Sequence, residues 1–88
     1  MSLYRVEWKK SAKKELKKLD KQVIPRILQA VESLAENPYS SDSKKLVGSD
    51  SIYRIRVGNY RIIYNIKSSV LTIEVIKVGH RQEIYRKQ

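Results

Sequence analysis

The chain contains no cysteine and no phenylalanine, a single histidine, a single tryptophan, three glycines, two prolines, and nine acidic residues against nineteen lysines and arginines. Each shortage excludes something. Without cysteine there is no disulfide framework, no thiolate metal site and no cysteine nucleophile. A lone His80 cannot build a zinc site. No apolar run approaches the roughly 18 residues of a membrane span, and the first residues lack the apolar core of a signal peptide, so a cytoplasmic location without a membrane is expected. The shortage of acid leaves a formal net charge of +10 over 88 residues. A bias of that size points to a polyanionic partner, with nucleic acid first and an acidic protein or anionic surface behind it. With no phenylalanine, all six one-ring aromatics are tyrosines, which suits a wet, base-stacking surface as well as a half-exposed core. The length bounds the expectation to one domain, 1–88, because such a chain buries only about 60–70% of its unfolded surface and cannot support a second core.

Hydrophobic periodicity sets out the elements. Leu3 to Trp8 alternate, with Tyr4, Val6 and Trp8 on one side, which predicts a short strand. Ser11 is a candidate N-cap for a helix whose Ala12, Leu16 and Leu19 fall at i, i+4 and i+7, surrounded by Lys9, Lys10, Lys13, Lys14, Lys17 and Lys18. Those lysines repeat at i+4, which is mildly destabilising; they form either a solvated face or a contact surface for phosphates. Ile24, Ile27, Leu28, Val31, Leu34 and Ala35 give a second amphipathic helix, with Pro25 tolerated in its first turn and Asn37-Pro38 stopping it. A short connection makes the two helices an antiparallel hairpin. Residues 39–51 read as a polar surface loop with a brief extended segment at Lys44 to Val47. Lys67-Ser68-Ser69 turns the chain into a last strand, Val70 to Val78, whose near-continuous apolar content suggests cover on both faces, and Gly79 is expected to break it.

The stretch from Tyr53 to Tyr64 organises the rest. Apolar and charged residues alternate up to Val57, Gly58-Asn59 supplies turn chemistry, and β-branched and aromatic residues resume at Tyr60. A two-residue loop at Gly58-Asn59 pairs Val57 with Tyr60, Arg56 with Arg61, Ile55 with Ile62, Arg54 with Ile63 and Tyr53 with Tyr64. Tyr53, Ile55, Val57, Tyr60, Ile62 and Tyr64 then share a core face, and Arg54, Arg56 and Arg61 share the other with Ile63. Like charges directly opposite on a sheet cost a few tenths of a kcal/mol to about 1. Either these arginines splay into water, or they form an anion site, for which rigidly held, permanently charged guanidinium forks suit phosphate.

The order of strand, two helices and three further strands, the motif Tyr53-Arg54-Ile55-Arg56-Val57-Gly58-Asn59-Tyr60-Arg61-Ile62-Ile63-Tyr64, and Val78-Gly79-His80-Arg81 with Tyr85 resemble the RelE/ParE toxin superfamily, RelE branch; Lys45-Leu46 followed by Gly48 is a weaker echo. The resemblance implies an α+β fold with two antiparallel N-terminal helices packed on a four-stranded, mainly antiparallel twisted sheet. It implies the toxin of a toxin–antitoxin pair that enters the ribosomal A site and cuts mRNA, monomeric alone and hetero-oligomeric with an acidic, RelB-like antitoxin. Neither metal nor cofactor is implied: the RNA 2′-hydroxyl attacks the adjacent phosphate, leaving a cyclic phosphate and a 5′-hydroxyl. By resemblance Arg61 stabilises the phosphorane-like transition state, Arg81 neutralises or protonates the leaving oxygen, and Tyr85 stacks on a splayed base. Arg54, Lys13, Lys17 and Lys45 are expected RNA contacts. Arg54 and Arg56 match positions that are often lysine, and the one matching Arg56 is a candidate general base in lysine-bearing members. Arginine is unsuited to that role, so either charge stabilisation carries the rate or His80, whose residue type titrates near neutrality, accepts the proton. Two other functions are compatible with the same residues: a ParE-like gyrase inhibitor, and a non-catalytic RNA- or ribosome-binding module.

Overall fold

The computed structural model describes residues 3–40 and 42–80. Strand β1 (Arg5–Trp8) leads into helix α1 (Lys10–Lys17) and helix α2 (Ile24–Glu36), followed by a two-residue strand β2 (Lys44–Lys45) and the long strands β3 (Ile52–Val57), β4 (Tyr60–Lys67) and β5 (Thr72–His80). One sheet results, in the order β1-β5-β4-β3-β2. β1 runs parallel to β5 and every other pairing is antiparallel. The fold is the α+β arrangement expected, with a fifth strand. The extended segment foreseen at Lys44 to Val47 pairs only through Lys44 and Lys45, yet it adds an edge beside β3.

The β3–β4 hairpin has the register that its parity predicts, from Val57 opposite Tyr60 to Tyr53 opposite Tyr64, extended by Ile52 opposite Asn65. Gly58 turns the chain at φ +60°, while Asn59 is not among the residues of positive φ. A first central residue of positive φ is the mark of a II′ turn, whose twist matches that of the flanking strands. Ile55, Ile62, Tyr64 and Ile66 from this hairpin meet Ile73, Val75 and Val78 of β5, Ala12 of α1 and Ile27, Val31 and Leu34 of α2 in one buried cluster. The helices cover this face of the sheet, α1 over β5 and α2 across β1, β3 and β5.

Three details depart from the sequence expectations. Helix α1 begins at Lys10, with Lys9 as its cap residue and no side-chain capping bond, so Ser11 lies inside the first turn rather than before it. Pro25 does fall at the start of α2, where its missing N–H costs nothing. Gly79 does not end β5: the strand continues to His80, because Tyr60 and Arg61 at the start of β4 take His80 and Gly79 as partners. The apolar-rich pattern of β5 has a different origin from two-sided cover. Ile63 faces Lys77 and Tyr64 faces Val75, so Ile76 is an extra residue and the register shifts there. A bulge changes parity, and the buried positions Ile73, Val75 and Val78 straddle it.

Candidate functional site

The face of the sheet turned away from the helices is organised by the hairpin. β3 sets Arg56 directly opposite Arg61 and Arg54 opposite Ile63, and β2 adds Lys44 opposite Arg54. Together with Asp42 these cations line a cleft of about 410 Å³, which Ile55 also borders although its side chain belongs to the core on the opposite face. Among the described residues four cations and one carboxylate face the same space. Arg56 is exposed and Arg54 half-buried, whereas Arg61, on a strand flanked on both sides, retains only 6% of its exposure. A guanidinium in that position has already lost most of its hydration. The desolvation that accompanies binding of an anion is therefore largely incurred on folding, and the local low dielectric strengthens attraction to a phosphate. Gly79, the residue paired with Arg61 on the β5 side, offers no side chain to crowd it.

Beneath the loop that leads into β2 lies a tyrosine stack. Tyr64 is fully buried, and its hydroxyl donates to the Pro38 carbonyl at 3.0 Å. Its ring stacks on Tyr53 with centroids 6.1 Å apart, and Tyr39 meets Tyr53 edge-on at 5.7 Å. Burial, the largest influence, pushes the Tyr64 phenol up to about 12, so it remains a hydrogen-bond donor throughout the neutral range. Ser43 then closes the next turn, its hydroxyl donating to the Ser40 carbonyl at 2.7 Å. These contacts fix the approach to Asp42 and Lys44.

The sequence-predicted residues divide accordingly. Arg54, Arg56 and Arg61 come together in the cleft. His80 does not join them: it pairs with Tyr60, and the two rings meet edge-on at 5.7 Å on the other face of the strand. The parity shift at the β5 bulge turns His80 away from Arg61, and it is set aside as the proton acceptor. Lys45 pairs with Tyr53 and so takes the opposite parity from Lys44, which is the lysine that lines the cleft. Lys13 and Lys17 are exposed on α1, a helix that covers the far face of the sheet, and form a basic surface apart from the cleft. Arg81 and Tyr85 lie outside the described residues. Sequence reasoning missed Asp42 and Lys44. For Lys44 the signal was present, since an extended pairing at Lys44 to Val47 assigns alternate residues to alternate faces; Asp42 lies in the turn before β2, where no strand parity applies.

Comparison with known proteins finds the same fold and the same class of protein. A family described as "ParE toxin of type II toxin-antitoxin system, parDE" matches residues 6–85. Toxin RelG of Mycobacterium tuberculosis is 33% identical over 92 residues, covering 96% of this chain and 98% of the relative. The crystal structure of the archaeal RelE–RelB complex from Pyrococcus horikoshii OT3 contains a chain that is 32% identical, superposes with a TM-score of 0.80, and is covered over 96% of its length by 90% of this chain. The isolated E. coli RelE toxin gives a TM-score of 0.80 at 27% identity, covering 96% of this chain and 93% of that one.

Proposed function

From the premise that the chain belongs to the ParE-toxin family of type II toxin–antitoxin systems, as a toxin of its RelE-like branch, we propose that it is an endoribonuclease that cuts mRNA in the ribosomal A site. The observation that carries this reading is the cleft, in which Arg54, Arg56 and Arg61 converge on one face with Arg61 almost fully withdrawn from water. Three fixed guanidinium groups are poorly explained by stability, since the Arg56–Arg61 pair opposes like charges. They are well explained by a phosphodiester that gains negative charge as it reacts. In-line attack of the 2′-hydroxyl places two charged oxygens on phosphorus, and preorganised cations aimed at them lower the barrier.

In this mechanism Arg61 holds a non-bridging oxygen, and Arg54 and Arg56 hold neighbouring phosphates and fix the bend of the strand. Arg81 stabilises the departing 5′-oxygen and Tyr85 stacks on the displaced base. Lys13, Lys17 and Lys45 contribute long-range attraction to ribosomal RNA. The partner that restrains the toxin is an acidic antitoxin of the RelB kind, as in the Pyrococcus horikoshii complex. The direct test incubates purified protein with ribosomes carrying a defined message and analyses the new ends. A 2′,3′-cyclic phosphate and a 5′-hydroxyl at a site that follows the A-site codon are expected; binding without new ends would leave only a ribosome-binding module.

The matching family description names ParE, and the ParE-like resemblance implies a second reading, inhibition of DNA gyrase. Supercoiling assays with purified gyrase separate the two: the nuclease reading expects no effect of the toxin on gyrase.

A further inference from the structure

Cleavage through the 2′-hydroxyl requires a group that accepts its proton, and the cleft offers few. Lys44, Arg54, Arg56 and Arg61 line it with hydrogen-bond donors only, and Ile55 is apolar. His80 faces Tyr60 on the other side of the sheet. Among the described residues one lining side chain remains that is an acceptor by chemistry, the carboxylate of Asp42. It sits at the edge of the sheet. Lys44 pairs with Arg54 and Lys45 with Tyr53 in an antiparallel ladder, and Asp42 lies just before it, in the turn from Ser40 to Ser43 that leads into β2. Arg56 faces Arg61, and Arg61 faces Gly79. A row of Arg56, Arg61 and Gly79 therefore crosses the sheet at right angles to the strands, and Asp42 lines the same cleft from the loop before β2. The turn that holds Asp42 is closed by Ser43, whose N–H and hydroxyl both donate to the Ser40 carbonyl, at 3.0 and 2.7 Å.

We propose that Asp42 is a catalytic residue, the general base of the cleavage step; the proposal rests on the nuclease reading above. As the bond between O2′ and phosphorus forms, the 2′-hydroxyl proton passes to the Asp42 carboxylate. The bond between phosphorus and O5′ breaks, and the departing O5′ takes a proton from water. Asp42 then returns its proton to solvent, leaving the 2′,3′-cyclic phosphate and the 5′-hydroxyl with all charges accounted for. Arg61, which lines the same cleft, neutralises the phosphate oxygens during the same step. Arg56, directly opposite Arg61, holds the phosphate. Where a lysine could both bind phosphate and exchange a proton, this chain divides the two tasks between Arg56 and Asp42.

The test measures single-turnover cleavage on message-programmed ribosomes and, separately, ribosome affinity, for wild type, Asp42→Asn, Asp42→Glu and the charge-matched control Asp50→Asn. A positioned general base contributes about a hundredfold to ten-thousandfold, so Asp42→Asn should slow cleavage by at least about a hundredfold. Its ribosome affinity should equal or exceed that of wild type, because a negative charge has left a cationic cleft. Asp42→Glu, which retains a carboxylate, should recover much of the rate, and Asp50→Asn should cut normally. Asp42 is exposed, so the variants are expected to fold, and thermal melts establish that they do. Cleavage by Asp42→Asn at the wild-type rate or faster overturns the proposal and leaves Asp42 a mere moderator of charge. Parallel losses of rate and affinity also overturn it, in favour of a structural part. If Asp42→Asn fails these criteria while wild type cuts and Arg61→Ala does not, the nuclease reading stands and only the base is wrong; if wild type makes no cuts, both fall together.

Discussion

Truncation of Arg61 to alanine separates a charge stabiliser from a surface cation. Loss of one preorganised group at the reacting phosphate costs about 3–4 kcal/mol of barrier, equivalent to a hundred- to a thousandfold in rate. The fold should tolerate the change, though not without effect. Arg61 is 6% exposed, so its aliphatic stem packs against neighbours and its removal loses those contacts, about 1–3 kcal/mol on the usual scale for buried side chains. Against this, the repulsion from Arg56 directly opposite disappears, returning up to about 1 kcal/mol. The net destabilisation is small beside the roughly 5–15 kcal/mol that holds a domain together. Arg61→Lys is the informative companion. It keeps the charge and most of the stem but loses the two-pronged fork, and a hydrogen bond to a charged group is worth about 1.5–3 kcal/mol, which translates to about a ten- to a hundredfold loss. Single-turnover cleavage on ribosomes, followed by primer extension at saturating enzyme, reads all three proteins. The expected order is wild type, Arg61→Lys, Arg61→Ala, with ribosome affinity changed far less than rate. Wild-type cleavage by a folded, ribosome-bound Arg61→Ala protein would refute a transition-state role for Arg61 and the catalytic interpretation of the hairpin with it.

Three further outcomes follow from the same geometry. Ile62→Ala, at a fully buried position in a central strand, should cost about 2–5 kcal/mol in a urea melt, the range for aliphatic truncation in a core; a loss no larger than that of a surface substitution would contradict the hairpin's core face. Tyr64 ionises near 10 when unfolded and about 12 in the folded protein, because burial disfavours the phenolate. Its contribution to stability is thus fully present below pH 10 and is lost as pH rises through about 12; the difference in stability between wild type and Tyr64→Phe should shrink over that interval and be constant at neutral pH. Finally, reversing the charges of Lys13 and Lys17 should flatten the dependence of ribosome affinity on salt, since each neutralised phosphate of a single strand contributes about −0.7 to the log–log slope; an unchanged slope would reduce the lysine face of α1 to a solubility device.

The parts of the fold legible in the sequence are those in which a strong period meets a short connection. Alternation from Tyr53 to Val57, a two-residue turn and β-branched residues beyond it permit one register that buries Ile55, Ile62 and Tyr64 together, and that register is the one observed. The helices were legible for the same reason, since Ile27, Val31, Leu34 and Ala35 recur at helical spacing and are the residues α2 buries. What escaped is set by pairings with distant segments. The bulge at Ile76 inverts parity along β5; Glu74 and Lys77, three residues apart, break the strict alternation of Val70 to Val78, but which residue is extra is decided by the pairing with β4. The same inversion decides that His80 meets Tyr60 rather than Arg61. Gly79 reads as a breaker in isolation and is a strand residue in context, held by its pairing with Arg61. Asp42 was hidden in a polar loop. Only the pairing of Lys44 with Arg54, across an edge two residues long, brings that loop alongside the arginines and gives the cleft a carboxylate.

The most direct test of RNA cleavage on the ribosome is primer extension on a translated message, taken minutes after induction of the wild-type protein and before growth stops. Cuts that step in register with codons, present on translated messages and absent when the start codon is removed, are the expected result. Intact messages accompanied by broken chromosomal DNA would contradict it and point to gyrase as the target instead.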